Sequence, residues 1–388
     1  MNKTRRSFWH SSRARFISLF LLCALLISSS RLNVSGAPEN TRAVSLCAES
    51  AILIDADDRV IMLEKSARQR MGEASTTKIM TALVVCETLP LDHTVSIPQE
   101  AVGVEGSSVY LIAGELLSVR DLLYALLLAS ANDAAVALAL ACAPSIEDFA
   151  ENMNSRAESL GLCDTHFTNP HGLYDEDHYT TAYDLAMITA EALKNEQLRA
   201  IFSSKRATIP LGATPEQPEG ERVRYLQNHN KMLSLYDGAI GVKTGFTKKT
   251  GRCLVSAAER DGMTLIAVTL DCPDDWREHT KMLDYGFAEY ERATLLDIGE
   301  YSYSYAVSGG VADYVSAVNS EPVIMTLPKQ RESISPSVEF PQRFEIAPIE
   351  AHKSLGVLCV RVGDRCAYSP LIAAYSVDSS AKKRKLFG

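Results

Sequence analysis

Positive charge is scarce in this chain. Its 388 residues carry 39 Lys and Arg against 48 Asp and Glu, a formal charge of −9 at pH 7. No basic patch interleaved with aromatics reverses that balance, which argues against nucleic acid as a partner. Metal-type spacing is missing too. Nine cysteines are present but no Cys-x-x-Cys pair, and His171, His178, His229 and His279 stand at no ligand spacing. A glycine-rich phosphate loop is also absent, so neither metal nor organic cofactor is expected. Low-complexity tracts and short repeats are lacking, and 46% of the residues are hydrophobic, which excludes disorder.

Long apolar runs are few. Residues 16–27 (FISLFLLCALLI) form one of 12 residues. That is short of the roughly 20 a membrane-spanning helix needs. Lys3, Arg5, Arg6, Arg13 and Arg15 precede it, and small residues ending in Ser35-Gly36-Ala37 follow. This order is that of an export signal over residues 1–37, so the remainder is expected outside the cytoplasm, secreted or associated with the cell envelope. Its removal takes six cations and no carboxylate, and the formal charge falls to −15. Outside the signal, eight cysteines remain for an oxidising compartment. Cys86 and Cys142 lie within apolar helical patterns and read as buried free thiols. Cys359 and Cys366 flank the turn at Val362-Gly363-Asp364 and are candidates for a cross-strand disulfide.

The length predicts two domains. Residues 51–54 and 59–63 read as strands turning at Asp57-Asp58. Helical, strongly apolar patterns follow at 75–89, 120–128 and 134–142, then an amphipathic helix at 145–160 and another at 181–193. Residues 211–220 read as a Pro/Gly loop. Strands return at 238–244, 252–259 and 263–270, the last two a hairpin across Asp261-Gly262. A helix at 275–290 is expected to pack back on that sheet. From about residue 293 the helical period vanishes and short β-type runs with prolines take over, predicting a small all-β domain over 293–372. Residues 373–388 end in a basic tail, Lys382-Lys383-Arg384-Lys385, with little apolar surface to hold a membrane.

Three motifs stand in order: Ser75-Thr76-Thr77-Lys78, Ser130-Ala131-Asn132 and Lys243-Thr244-Gly245. Any one alone reads equally well as a helix cap or a solvated strand lysine. Together they read as a serine acyl-transfer site whose base is a lysine. Ser75 at a helix start has a free backbone N–H and a favourable dipole for an oxyanion. Lys78, three residues on, shares its face. To accept a proton Lys78 must be neutral, so its pKa must fall from about 10.4 towards 7 through burial and a nearby cation. Lys243 is the candidate cation. Ser130 can relay a proton and Asn132 can hold a substrate amide. Lys243 and Thr244 suit a carboxylate, Gly245 lets a substrate backbone lie along the strand, and Phe246 offers a second oxyanion N–H.

With its flanking strings, the chain resembles the D-alanyl-D-alanine carboxypeptidases, the low-molecular-weight penicillin-binding proteins of the serine DD-peptidase type. Those strings are Ala74-Ser75-Thr76-Thr77-Lys78-Ile79-Met80-Thr81, Ser130-Ala131-Asn132-Asp133-Ala134, Asn169-Pro170-His171-Gly172-Leu173, Thr181-Ala182-Tyr183-Asp184-Leu185, Asn228-His229-Asn230-Lys231 and Gly241-Val242-Lys243-Thr244-Gly245-Phe246-Thr247. The resemblance implies an α+β fold, a β-lactamase/DD-peptidase-like catalytic domain over residues 43–290 followed by the small all-β domain. It implies as substrate a peptidoglycan stem peptide ending in D-Ala-D-Ala, attacked by Ser75, with β-lactams as covalent inhibitors. The family's arginine near the substrate carboxylate has Arg277 as its nearest counterpart. The family's membrane-lying terminal helix has none in the polar tail.

Two other classes compete. A class A β-lactamase shares two motifs but uses a glutamate in an E-x-x-L-N loop. The nearest string here, Glu191-Ala192-Leu193-Lys194-Asn195, has Lys in place of Leu and reads as a continuing helix. A non-catalytic cell-wall-binding protein is the other, and three intact motifs argue against it. A transpeptidase shares the same acyl-enzyme, so the acceptor, water or amine, stays open.

Overall fold

The computed structural model describes residues 44–213, 222–330, 335–340 and 343–380. The export signal, its Cys23 and the basic tail lie outside them, as does most of the predicted loop at 211–220. No helix among the described residues is long and apolar enough to cross a membrane.

β1 (Ser50–Asp55) and β2 (Ile61–Lys65) pair antiparallel. Asp55 Oδ1 accepts from the N–H groups of Asp57 and Asp58 (3.0 and 2.8 Å), which folds the turn between them. A 3-10 turn, Ala74–Thr77, leads into α1 (Lys78–Thr88). The ribbon β3 (Thr94–Ser96) and β4 (Leu116–Ser118) precedes a helical cluster: α2 (Val119–Leu128), α3 (Asn132–Cys142), α4 (Ile146–Ser159), α5 (Ala182–Leu193) and α6 (Glu196–Ser203). Their starts are written in short polar side chains. Ser118, Ser145, Thr181 and Asn195 each accept from a backbone N–H of the first turn of α2, α4, α5 and α6. α1 and α3 are buried on nearly every side, which explains their lack of a polar face. In α4 only Phe149, Ala150, Met153 and Ala157 are buried, the spacing of a surface helix.

The hairpin β5 (Arg206–Pro210) and β6 (Val223–Gln227) and the short α7 (Met232–Leu235) lead to β7 (Ala239–Thr247), β8 (Gly251–Arg260) and β9 (Met263–Leu270). Asp261 and Gly262 both have positive φ (50° and 74°), as a two-residue I′ turn demands. The five-stranded sheet runs β2-β1-β9-β8-β7, antiparallel throughout, with β7 at one edge. Alternation sorts its two faces. Ile52, Ile54, Val255 and Val268 join the helical cluster, whereas Leu53, Leu254 and Leu265 meet Met282 and Leu283 of α8 (Asp275–Glu289).

Glu115 ties the β5–β6 hairpin to the loop before β4. Its two oxygens take a bidentate pair from Arg224 (2.5 and 2.9 Å) together with the N–H groups of Ile112 and Gly212. The carboxylate is fully buried. Arg224→Ala is therefore expected to lower the unfolding free energy by about 3 kcal/mol in urea titration, because it strands a buried charge.

Strands then take over: β10 (Tyr290–Leu296), β11 (Ser302–Ser308), β12 (Tyr314–Asn319), β13 (Val323–Pro328), β14 (Ser335–Glu339), β15 (Glu345–Ile346), β16 (Ser354–Val362) and β17 (Arg365–Ala373). β10 pairs with β13, and the others form a sheet ordered β14-β16-β17-β12-β11-β15 around Val315, Leu358, Val360 and Leu371. The architecture is the expected α+β unit followed by a β-rich region. Arg292 of β10 reaches Asp57 (3.2 Å) and Asp58 (3.7 Å), and the Thr326 N–H donates to Asp58 (2.6 Å). The first turn of the chain thus clamps the β region.

The candidate Cys359–Cys366 disulfide is not formed. The register sets Cys359 opposite Tyr368 and Cys366 opposite Arg361, so the two thiols are diagonal rather than facing. All eight described cysteines are free. Cys86 and Cys142 are free as expected, and burial pushes both thiols up to about 12.

Candidate active site

Ser75 sits in the 3-10 turn rather than in the helix itself, half-buried, with Lys78 opening α1. Ala74, just before it, has φ +48°. Ser130, the turning residue between α2 and α3, has φ +59°. Non-glycine residues in that region are strained, and such strain gathers at working sites.

The three motifs meet. Lys78 Nζ lies 2.9 Å from Ser75 Oγ, 2.7 Å from Asn132 Oδ1 and 2.7 Å from the backbone carbonyl of His171. Asn132 Nδ2 donates to Glu105 O at 2.5 Å, which fixes its amide so that Oδ1 faces the lysine. Lys243 Nζ donates to Ser130 Oγ (3.0 Å) and to Thr244 O (2.9 Å). Both lysines are buried, and among the described residues no carboxylate pairs with either. Burial, and then the charge of Lys243, hold the Lys78 ammonium well below the usual lysine range, with Asp133 opposing. Burial brings Lys243 down to about 7.

β7 brings Lys243, Thr244, Gly245 and Phe246 along the free edge of the sheet. Gly245 has a tighter reason to be glycine than the sequence suggested. A Cβ there would stand 2.8 Å from Glu73 O and 3.0 Å from Ser75 N, so the strand backbone itself presses on the turn that carries Ser75. Phe246 is largely exposed, one residue further along, opposite Arg252.

Several participants escaped the sequence reading. The His171 carbonyl is one, and its loop is built by Asn169, whose Oδ1 accepts from Gly172 N (2.7 Å) and His171 N (3.3 Å). Gly172 (φ +84°) lies so close to Ala74 O that a Cβ would come within 1.9 Å. Burial, then Lys78 and His178, lower the His171 imidazole to about 3, so it is neutral near pH 7. Beneath the turn, Thr77 Oγ1 donates to Glu73 Oε1 (3.0 Å) and lies 2.9 Å from His178 Nε2, all buried. Asn169, Pro170 and Gly172, a run of turn formers, were the legible signal for this loop. The Glu73–Thr77–His178 contact had none.

Two expectations change. Glu191 faces outwards to Arg156 and Lys194, and α5 ends at Leu193, so Asn195 caps α6 instead of continuing a helix. Arg277 lies in the first turn of α8, strongly exposed, with Asp274 as its ion-pair partner (3.5 Å) rather than a cleft group.

Comparison with known proteins agrees with this geometry. The family model for D-alanyl-D-alanine carboxypeptidases (peptidase S11) matches residues 37–274. A D-alanyl-D-alanine carboxypeptidase of Bacillus subtilis is 32% identical over 336 residues, 84% of this chain and 85% of that protein. The crystal structure of penicillin-binding protein 5 from Haemophilus influenzae superposes with a TM-score of 0.71 at 27% identity, over 88% of this chain and all of that one. A mutant of the Streptomyces K15 DD-transpeptidase gives 0.60 at 35% identity, over 63% of this chain and all of that one. With a serine turn, two buried lysines and a strand edge brought together, and a match over this length, the chain belongs to the D-alanyl-D-alanine carboxypeptidase family of serine peptidases.

Proposed function

We propose that the carboxypeptidase chemistry of this chain runs through an acyl-enzyme on Ser75 with Lys78 as its base. One observation carries the assignment. Two of the three neighbours of Lys78 Nζ, Asn132 Oδ1 and His171 O, are acceptors only. A neutral amine has two N–H groups and one lone pair. When the N–H groups serve those acceptors, the lone pair is left for the Ser75 hydroxyl, 2.9 Å away.

Ser75 Oγ, its proton passing to Lys78, attacks the carbonyl of the penultimate D-alanine. The N–H groups of Ser75 and Phe246 receive the oxyanion. The proton taken by Lys78 is relayed through Ser130, in contact with Lys243, to the departing amine, so D-alanine leaves and Lys78 is neutral again to take a proton from the attacking water. Water then hydrolyses the ester. Lys243 and Thr244 hold the terminal carboxylate, Asn132 holds the substrate amide, and the peptide lies along β7 past Gly245. Penicillin-type β-lactams enter the same path and remain as esters of Ser75. Residues 43–290 serve as the catalytic domain and 293–372 as the β domain. An export signal at 1–37 places both outside the cytoplasm, where peptidoglycan is found.

Mass measurement after incubation with penicillin tests the acyl-enzyme, and an assay for released D-alanine tests the peptidase. An unlabelled protein that releases no D-alanine would sink the proposal. Lys243→Ala is expected to raise KM for D-Ala-D-Ala peptides and to lower kcat/KM by about 10- to 100-fold, the worth of one charge-assisted hydrogen bond. Unchanged steady-state kinetics would remove Lys243 from that role. A second reading, transfer to an amine acceptor, is favoured by the likeness to the K15 DD-transpeptidase. Adding an amino-acid acceptor and looking for the exchanged peptide separates the two.

A further inference from the structure

The ladder between β1 and β9 continues beyond the strands. The Glu49 N–H donates to Asp271 O (3.1 Å), past the Ser50–Leu270 pair. Cys47 and Cys272 stand at the end of that extension with their sulfurs 3.6 Å apart. Cys47 is exposed and Cys272 is buried. The Cys272 backbone is fixed by its N–H donating to Arg252 O (2.9 Å). We propose that this pair is a modification site, closing to a disulfide when the chain meets an exchangeable disulfide and so fastening the segment ahead of β1 to the sheet.

The alternative occupant is a soft divalent ion, because Glu278 brings a carboxylate to the same point. The hydrogen bonds oppose it. One Glu278 oxygen accepts from the Cys47 N–H and the other from the Lys281 ammonium (2.7 Å). Both oxygens are occupied, and a cation is already present. A disulfide needs the sulfurs to close from 3.6 Å to about 2.05 Å, a movement of about 1.5 Å.

The exposed Cys47 is the point of entry. Its thiolate attacks one sulfur of the incoming disulfide, that S–S bond breaks, and one thiol leaves. The Cys272 sulfur, its proton lost to the departing thiolate, then attacks Cys47 Sγ and releases the second thiol. Two protein thiols are oxidised and one external disulfide is reduced to two thiols. Burial first, and Cys47 beside it, push the Cys272 thiol up to about 12, so Cys272 is poorly suited to open the exchange itself.

The reduced chain treated with oxidised glutathione tests this. Intact mass is expected to fall by two hydrogens, with the Cys47 and Cys272 peptides joined on mapping. The Tm is expected to rise by about 5 °C, since closing so long a loop restricts the unfolded chain. A reducing agent reverses the rise, and Cys47→Ser, at an exposed position, lacks it. A glutathione adduct that stays on Cys47 while Cys272 remains alkylatable overturns the proposal. So does a link between Cys359 and Cys366 alone. So does one equivalent of zinc bound by the reduced chain and lost in Cys47→Ser, with no link forming under oxidation.

Discussion

Ser75→Ala is expected to abolish covalent penicillin labelling and to lower kcat/KM for D-Ala-D-Ala peptides by at least about 10⁴-fold. No other hydroxyl lies within hydrogen-bond reach of Lys78 Nζ among the described residues, so nothing nearby can replace the nucleophile. The fold should survive. Ser75 is half-buried, and among the described residues its hydroxyl is hydrogen-bonded to Lys78 and, at 3.5 Å, to the His171 carbonyl. Intact-mass analysis and thermal unfolding together check both halves of the expectation. A mutant that still gains the mass of penicillin, with its Tm preserved, would refute the nucleophile assignment.

Loss of the base comes next in size. Lys78→Met is expected to slow acylation by about 10²- to 10⁴-fold, the usual worth of a positioned base. Lys78→Arg should rescue nothing, because a guanidinium keeps its proton. The pH profile of kcat/KM carries the signature. On the acid side activity falls as Lys78 takes up a proton and loses its lone pair. Lys243, brought down by burial to about 7, gives up its proton as pH rises through that value, so carboxylate binding weakens and KM climbs on the alkaline side. The expected curve is a bell whose alkaline limb moves to KM alone. An alkaline limb in kcat at saturating substrate would contradict the division of labour between the two amines.

The Ser75–Lys78 contact was legible because the two residues are near neighbours in sequence, although Ser75 lies in the 3-10 turn ahead of α1 rather than on its face. Lys243 was legible as a strand cation, and Asp261-Gly262 as a turn. Partners supplied by the backbone were not. The His171 carbonyl has no residue type to announce it, yet it takes one of the Lys78 N–H groups. The β5–β6 hairpin was missed for a related reason: both strands bury only one residue fully, so their alternation is faint. The Cys359–Cys366 expectation failed on register, which a turn motif alone does not determine. The Cys47–Cys272 approach escaped because it joins the two ends of the catalytic region.

β1 is an inner strand of its sheet, hydrogen-bonded on one side to β2 and on the other to β9, with Ser50 opposite Leu270. The first strand among the described residues can pair with β2 as a local hairpin, but its neighbour on the other side, β9, is the last strand of that sheet in chain order. Local hairpins and helices, β1–β2 and β7–β8 among them, are free to form as synthesis proceeds, but the two halves of the sheet join only through β9. Such distant pairing is slow to nucleate. Any truncation ahead of β9 leaves β1 without its inner neighbour and parts the β1–β2 hairpin from the β7–β8 ladder that carries Lys243.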